Sequence, residues 1–104
     1  MTIQFNTDKS LTMHEAFGAE LKQQLEKDLS HFSEHITRLE LHLSDENGSK
    51  QGIDDKRCLM EARIANRQPV AVTADGNTHE QSVKAATDKL KHALDTIFGK
   101  MKQH

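Results

Sequence analysis

Hydrophobic positions in the last quarter of the chain recur at steps of three and four: Val83, Ala86, Leu90, Leu94, Ile97 and Met101. That spacing puts them on one stripe of a helix and predicts a helix from Asn77 to Lys102. Thr78 is a good N-cap, and Gln81 three residues on completes a capping box. Phe17, Leu21, Leu25, Leu29 and Phe32 have similar spacing and predict an earlier helix from Met13 to Phe32. Thr12 and Glu15 have capping-box spacing there, and Leu11 precedes them where a hydrophobic staple begins.

Between and before these stretches the period drops to two. Thr2 to Asn6 is a short strand with Ile3 and Phe5 apolar. From Thr37 to Ser44, Leu39, Leu41 and Leu43 face one way, and Arg38, Glu40 and His42 the other, as in a half-buried strand. From Lys56 to Ile64, Cys58, Met60, Ala62 and Ile64 oppose Arg57, Glu61 and Arg63, with Leu59 interrupting the polar face. Pro69 to Ala74 is a last strand with Val70 and Val72 inward. Pro69 cannot donate to a ladder, so it belongs at a strand start or an edge. Asp45 to Asp55 reads as a polar loop, Ala65 to Gln68 as a tight connection, and Asp75 to Asn77 as the turn into the final helix.

The order is therefore β-α-β-β-β-α. It predicts an α+β two-layer sandwich: a four-stranded sheet with two helices packed on one face and the other face open to solvent. The three consecutive strands form an antiparallel meander. A chain of 104 residues points to a single domain spanning 1–104. Hydrophobic residues are 35% and aromatic residues 4%, so the core is aliphatic and modest, with little room for a deep ligand pocket. A net charge of −2 gives no global pull toward nucleic acid, and any such site must be a local cationic patch. The one cysteine, Cys58, excludes an internal disulfide and a multi-cysteine zinc site, and on an apolar strand face it reads as a small buried hydrophobe. No apolar run approaches the ~20 residues of a membrane span. The first ten residues lack the segments of a signal peptide. The expected location is the cytoplasm.

Little in the chain suggests catalysis. His31 and His35 have i, i+4 spacing, but the helix ends near Phe32 and no third ligand is set by spacing, so exposed histidines at a helix end are the better reading. Asp45, Glu46, Asp54 and Asp55 lack the alternation of a calcium loop. Phosphate-binding, dinucleotide and serine-hydrolase motifs are absent. The expectation is no enzyme, no cofactor and no metal. The cations of the final helix fall on two lines. Lys84, Lys91 and Lys102 share theirs with Asp88 and Asp95, as on an i, i+4 salt-bridged surface. Lys89, His92 and Lys100 share theirs with no carboxylate, and with Lys22 and Lys27 of the first helix they could meet phosphates. Charge alone favours a solvated face.

The element order, the ending AATDKLKHAL (Ala85 to Leu94) and the strand segments TRLELHLSDENG and DKRCLMEARIANRQPVAVTA resemble the ribosome hibernation promoting factor family. That family includes the ribosome-associated inhibitor and the sigma-54 modulation proteins. The resemblance spans essentially the whole chain and implies a short form, without the C-terminal extension of long members. It implies a fold similar to a double-stranded-RNA-binding domain. It also implies a translation inhibitor that binds the small ribosomal subunit through 16S rRNA phosphates in stress or stationary phase and blocks the mRNA and tRNA sites. The family's D-K-L-x-R-Q run corresponds to Asp88, Lys89, Leu90, Lys91, His92 and Ala93, so His92 stands where Arg is usual and Ala93 where a polar side chain is. Lys27 matches a common basic position, and Gln24 appears where Lys or Arg often does. The expected RNA-binding residues are Lys22, Lys27, Lys89, His92 and Lys100. The expected partner is the small subunit, with no DNA, membrane or small-molecule substrate, and the chain is expected to be monomeric off the ribosome. A non-enzymatic protein-interaction or regulatory module on the same fold is the alternative. Arg38, His42, Arg57 and Arg63 on the open sheet face stand as further cations whose part in binding the pattern leaves open.

Overall fold

Alternation becomes burial along the two central strands. The computed structural model describes residues 1–7, 15–45 and 56–102, the side chains of Glu15 and of 100–102 excepted. Its strands are β1 (Thr2–Thr7), β2 (Ile36–Asp45), β3 (Lys56–Ile64) and β4 (Val70–Gly76), and its helices α1 (Glu15–Asp28) and α2 (His79–Lys102). They form one four-stranded sheet in the order β1-β2-β3-β4. The meander β2-β3-β4 is antiparallel, as the sequence predicts. β1 pairs in parallel with β2, Ile3 opposite Leu39 and Phe5 opposite Leu41, so α1 is the crossover between them.

Leu39, Leu41, Leu43, Cys58, Met60, Ala62 and Ile64 are buried on one side of the sheet. At the flanks Ile3, Phe5, Val70 and Val72 are half-buried against the same core. Pro69 lies just before β4, which is an edge strand and so tolerates a residue with no N–H. β2 starts one residue earlier than the alternation suggests. Ile36 pairs with Ile64, but Arg38 pairs with Arg63, so Thr37 is an extra residue in the ladder. Its hydroxyl donates to the Arg63 carbonyl at 3.1 Å. The bulge lets Ile36 and Leu39, an odd number of residues apart, both face the core.

The helices supply the other half of the core, α1 through Leu21 and Leu25 and α2 through Val83, Ala86, Leu90 and Leu94. A leucine buried this completely stabilises the fold by about 1.5–3 kcal/mol through area removed from water. α1 stops at Asp28, earlier than Phe32. A 3-10 turn over Ser30–Phe32 follows, with the Phe32 N–H donating to the Leu29 carbonyl at 2.9 Å. The tighter winding stacks residues three apart, which sends both Leu29 and Phe32 into the core. The expected cap at Thr12 lies outside the described residues.

α2 begins as its sequence predicts. The Thr78 hydroxyl accepts from the Gln81 N–H at 3.1 Å. The Gln81 amide oxygen reaches back, but to the Asn77 N–H at 3.1 Å rather than to that of Thr78. Gly76 permits this approach, because a Cβ there would sit 2.8 Å from the Ser82 nitrogen. At the other end Phe98 is buried and Ile97 half-buried. The aromatic ring takes the place expected for the aliphatic one, because Phe32 and His35 meet it there. The side chain of Met101 lies outside the described residues.

Candidate nucleic-acid interface

Which flank of each helix faces the other decides where the cations go. A groove of about 300 Å³ separates α1 from α2. On α1 its wall includes Phe17, Gln24 and Asp28, and on α2 Glu80, Lys84 and Thr87. At 100° per residue, Lys22 lies about 120–160° around α1 from that wall, on the outer flank. Lys27, about 160° from buried Leu25, sits on the solvent crest of α1 in its last turn. His92 occupies the same crest position on α2, about 160° from Leu90. Lys89 lies on the outer flank of α2, where its ammonium donates to the Thr73 carbonyl of edge strand β4 at 2.8 Å. Lys22, Lys27, Lys89 and His92 are exposed. The side chain of Lys100 lies outside the described residues.

The four visible candidates are thus strung across the whole helix layer, two on the crests and two on opposite outer flanks. Between the crests the groove carries Glu20, Asp28 and Glu80 against Lys84, over a floor that includes Leu21, Leu25 and Val83. Asp28 accepts from the Gln24 amide at 2.9 Å. This seam repels phosphate, so an RNA backbone would have to run along the crests or past their ends.

The other line of α2 cations differs from its sequence reading. Among the described residues, Lys84, Lys91, Asp88 and Asp95 enter no ion pair. Lys84 precedes Asp88 and Lys91 precedes Asp95 by four residues, the less favourable order for a helical pair, and Glu80, four residues before Lys84 in the favourable order, does not close on it either. Lys84 and half-buried Lys91 therefore remain available on the side of α2 that faces α1.

The open face of the sheet is organised in the opposite way. Arg63 reaches Glu40 at 3.3 Å and Glu61 at 3.6 Å. Arg38 also meets Glu40, at 3.7 Å. Arg57 donates to Asp75 at 2.9 Å, and Lys56 to Asp45 at 2.9 Å. The register sets Arg57 opposite Asp75 and Lys56 opposite Asp45, and it also sets Glu40 opposite Glu61, two like charges that Arg63 bridges.

Groups that could do other chemistry are placed for none. Cys58 is fully buried, and desolvation pushes its thiol up to about 12, so at neutral pH it is a protonated, enclosed hydrophobe. His31 lies in the 3-10 turn and His35 beyond it, stacked on Phe98 with centroids 4.1 Å apart, so helical i, i+4 geometry does not join them. Among the described residues no group of three His, Cys, Asp or Glu side chains could hold a metal ion, and no helix is long and apolar enough to cross a membrane.

Comparison with known proteins adds a family and a fold. Residues 8–102 match the family described as sigma 54 modulation protein / S30EA ribosomal protein. Among solved structures, the chain is similar to the Thermus thermophilus Protein Y N-terminal domain, with a TM-score of 0.73 at 13% identity, covering 93% of this chain and 99% of that one. It is also similar to a ribosomal subunit interface protein from Coxiella burnetii, with a TM-score of 0.74 at 16% identity, covering 95% of this chain and 99% of that one. At such identities these structures establish the shared fold. No curated protein sequence matches the chain.

Proposed function

The chain belongs to the sigma 54 modulation protein / S30EA ribosomal protein family, and from that premise we propose that it is a ribosome-associated hibernation factor that silences the small subunit. One domain, residues 1–104, suffices for this. The helix layer docks on 16S rRNA phosphates through Lys27 and His92 on the crests, with Lys22, Lys89 and Lys100 beside them, and Lys84 and Lys91 join from the inner side of α2. The bulk of the sandwich then excludes mRNA and tRNA. No bond is made or broken. Phosphate contacts position the domain, and shape rather than base sequence selects the site. The protein acts in the cytoplasm and is monomeric off the ribosome.

The observation that carries this reading is the contrast in pairing. In a family match that spans nearly the whole chain, the lysines of the helix layer lack carboxylate partners among the described residues, while the arginines of the sheet face are tied up. Sedimentation of lysate from starved cells tests it. The protein should travel with small subunits and whole ribosomes at low salt and leave them as salt rises. Its absence from every ribosomal fraction at low salt sinks the proposal. A protein-interaction module is the second reading, favoured by the carboxylates of the interhelical groove, Glu20, Asp28 and Glu80. Capture of one protein partner that resists RNase treatment would favour it.

A further inference from the structure

A run of planar groups leads from the core to solvent at the sheet end farther from the start of α2. Phe32 meets Phe98 with centroids 6.2 Å apart and planes at 34°. His35 lies nearly flat on Phe98, at 4.1 Å and 13°. The Arg67 guanidinium carbon stands 5.5 Å from the Phe98 centroid. The two phenylalanines are buried, His35 is half-buried, and Arg67 is exposed.

The β3–β4 connection holds Arg67 in place. Its N–H donates to the Ile64 carbonyl at 3.2 Å, closing a four-residue turn. Asn66, third in that turn, has φ 63°, the left-handed conformation that asparagine tolerates better than other residues with a side chain. Beyond the turn, Asn66, Arg67, Gln68, Pro69, Val70 and Ile97 line a shallow groove. Pro69, Val70 and Ile97 offer flat apolar surface. Asn66 and Gln68 offer amides that both donate and accept. None of the described residues lining it is a carboxylate, unlike the interhelical groove. The carboxylate next to His35 in the chain, Glu34, is exposed and not part of the lining.

We infer that this groove takes one unstacked nucleotide of single-stranded RNA. The base lies on the Arg67 guanidinium and the Pro69–Ile97 surface, and the Asn66 and Gln68 amides meet its edge. Unpaired bases are held this way, by a planar cation or ring for the face and amides for the edge. Lysines on helix crests can position phosphates but cannot hold a base. This inference rests on the proposed ribosome-binding role and adds a base contact to it.

The full chain, labelled with nitrogen-15, would be titrated with hexaadenylate RNA and, at equal ionic strength, with tripolyphosphate. Amide shifts at Asn66, Arg67, Gln68, Val70 and Ile97 should move with the RNA and stay still with tripolyphosphate. Arg67→Ala should weaken hexaadenylate binding about tenfold, in the range that stacking losses give. Arg67→Lys keeps the charge and loses the plane, so it should weaken binding almost as much. Full affinity in Arg67→Lys, or RNA shifts confined to the crests of α1 and α2, would overturn the inference. An unchanged thermal midpoint shows that both variants fold. Co-sedimentation with ribosomes, measured separately, keeps the two readings apart. Ribosome binding without shifts at this groove removes the nucleotide site alone. Shifts at the groove without ribosome binding remove the hibernation role alone.

Discussion

On the open face of the sheet, Arg63 spans two carboxylates, Arg38 shares one of them, and Arg57 is joined to Asp75. On the helix layer, Lys22, Lys27, Lys84 and Lys91 meet no carboxylate within ion-pair distance among the described residues, and Lys89 spends a donor on a backbone carbonyl. The difference follows from secondary structure. Residues on one face of a sheet meet neighbours directly opposite, as Arg57 meets Asp75, and also diagonally and two positions along the same strand, which is how Arg63 reaches Glu40 and Glu61. On α2 the possible partners of Lys84 and Lys91 lie three or four residues away along the helix, and none of them closes among the described residues, Glu80 before Lys84 in the favourable order included. A net charge of −2 hides this asymmetry, because it averages a neutralised face with an available one. Exposed ion pairs contribute little to stability, about 0–1 kcal/mol each. Their larger effect here is to withdraw the sheet arginines from phosphate.

The largest predicted effect tests the helix side of the contrast. Reversing Lys27→Glu together with Lys89→Glu should weaken binding to small subunits by roughly two orders of magnitude and lower the salt slope by about 2, as two lost phosphate contacts require. Filter binding across a salt series reads both. Binding that survives both reversals would show that the docking surface lies elsewhere. Lys89 also blunts the β4 edge through Thr73. Its reversal should therefore also cost a little stability, the value of one exposed hydrogen bond to a charged group, about 1–2 kcal/mol at most, read by urea unfolding.

Next in size is Lys84→Gln with Lys91→Gln. Spacing alone pairs these lysines with Asp88 and Asp95, whereas among the described residues they enter no ion pair. Binding should fall about tenfold with no change in stability beyond about 0.5 kcal/mol. An unchanged affinity would mean that the acidic seam of Glu20, Asp28 and Glu80 shields them from RNA. The matching control on the sheet is Arg63→Ala. It breaks contacts to Glu40 and Glu61 and should cost about 0.5–1 kcal/mol in urea unfolding while leaving ribosome affinity within about twofold. A larger loss of affinity would bring the sheet face into the interface.

How much of this contrast a reader could find in the sequence depends on the distance over which each feature is decided. The inward faces of β2 and β3 are legible because Leu39 to Leu43 and Cys58 to Ile64 are apolar at every second residue, although Leu59 interrupts the polar side of β3. The start of α2 was legible because Thr78 and Gln81 lie three residues apart. The bulge at Thr37 was not, since one extra residue looks the same as a later strand start. The stripe alone does not choose between Ile97 and Phe98, since both continue it from Leu94, and Phe32 and His35, more than sixty residues away in the chain, make the choice. The parallel placement of β1 is likewise decided by the α1 crossover, not by its own residues. For the interface, the lysines were nameable but their grouping was not. Lys22 and Lys89 fall on opposite outer flanks because of which walls of α1 and α2 face each other. The groove beside Arg67 left no signal beyond a tight connection, since its stack is assembled from a 3-10 turn, a strand connection and the end of a helix.

The smallest predicted effect separates a permanent cation from a conditional one. His92 stands on the crest of α2, with Lys89 one turn before it and Asp88 and Asp95 also within a turn. An imidazole gains its proton as pH falls from about 8 to about 6, and phosphate contact favours that charged form. If His92 touches RNA, affinity should rise by about threefold over that interval, and His92→Gln should flatten the profile while leaving affinity at the upper end nearly unchanged. The double variant with Lys27→Glu and Lys89→Glu supplies the necessary check. Protonation of other histidines, such as exposed His31 and His42, would raise nonspecific attraction in both proteins alike, whereas a true contact at His92 requires the neighbouring lysines to hold the RNA there. A slope that persists in the double variant, or in His92→Gln, would assign the pH dependence to general charge and leave lysines alone to carry the helix face.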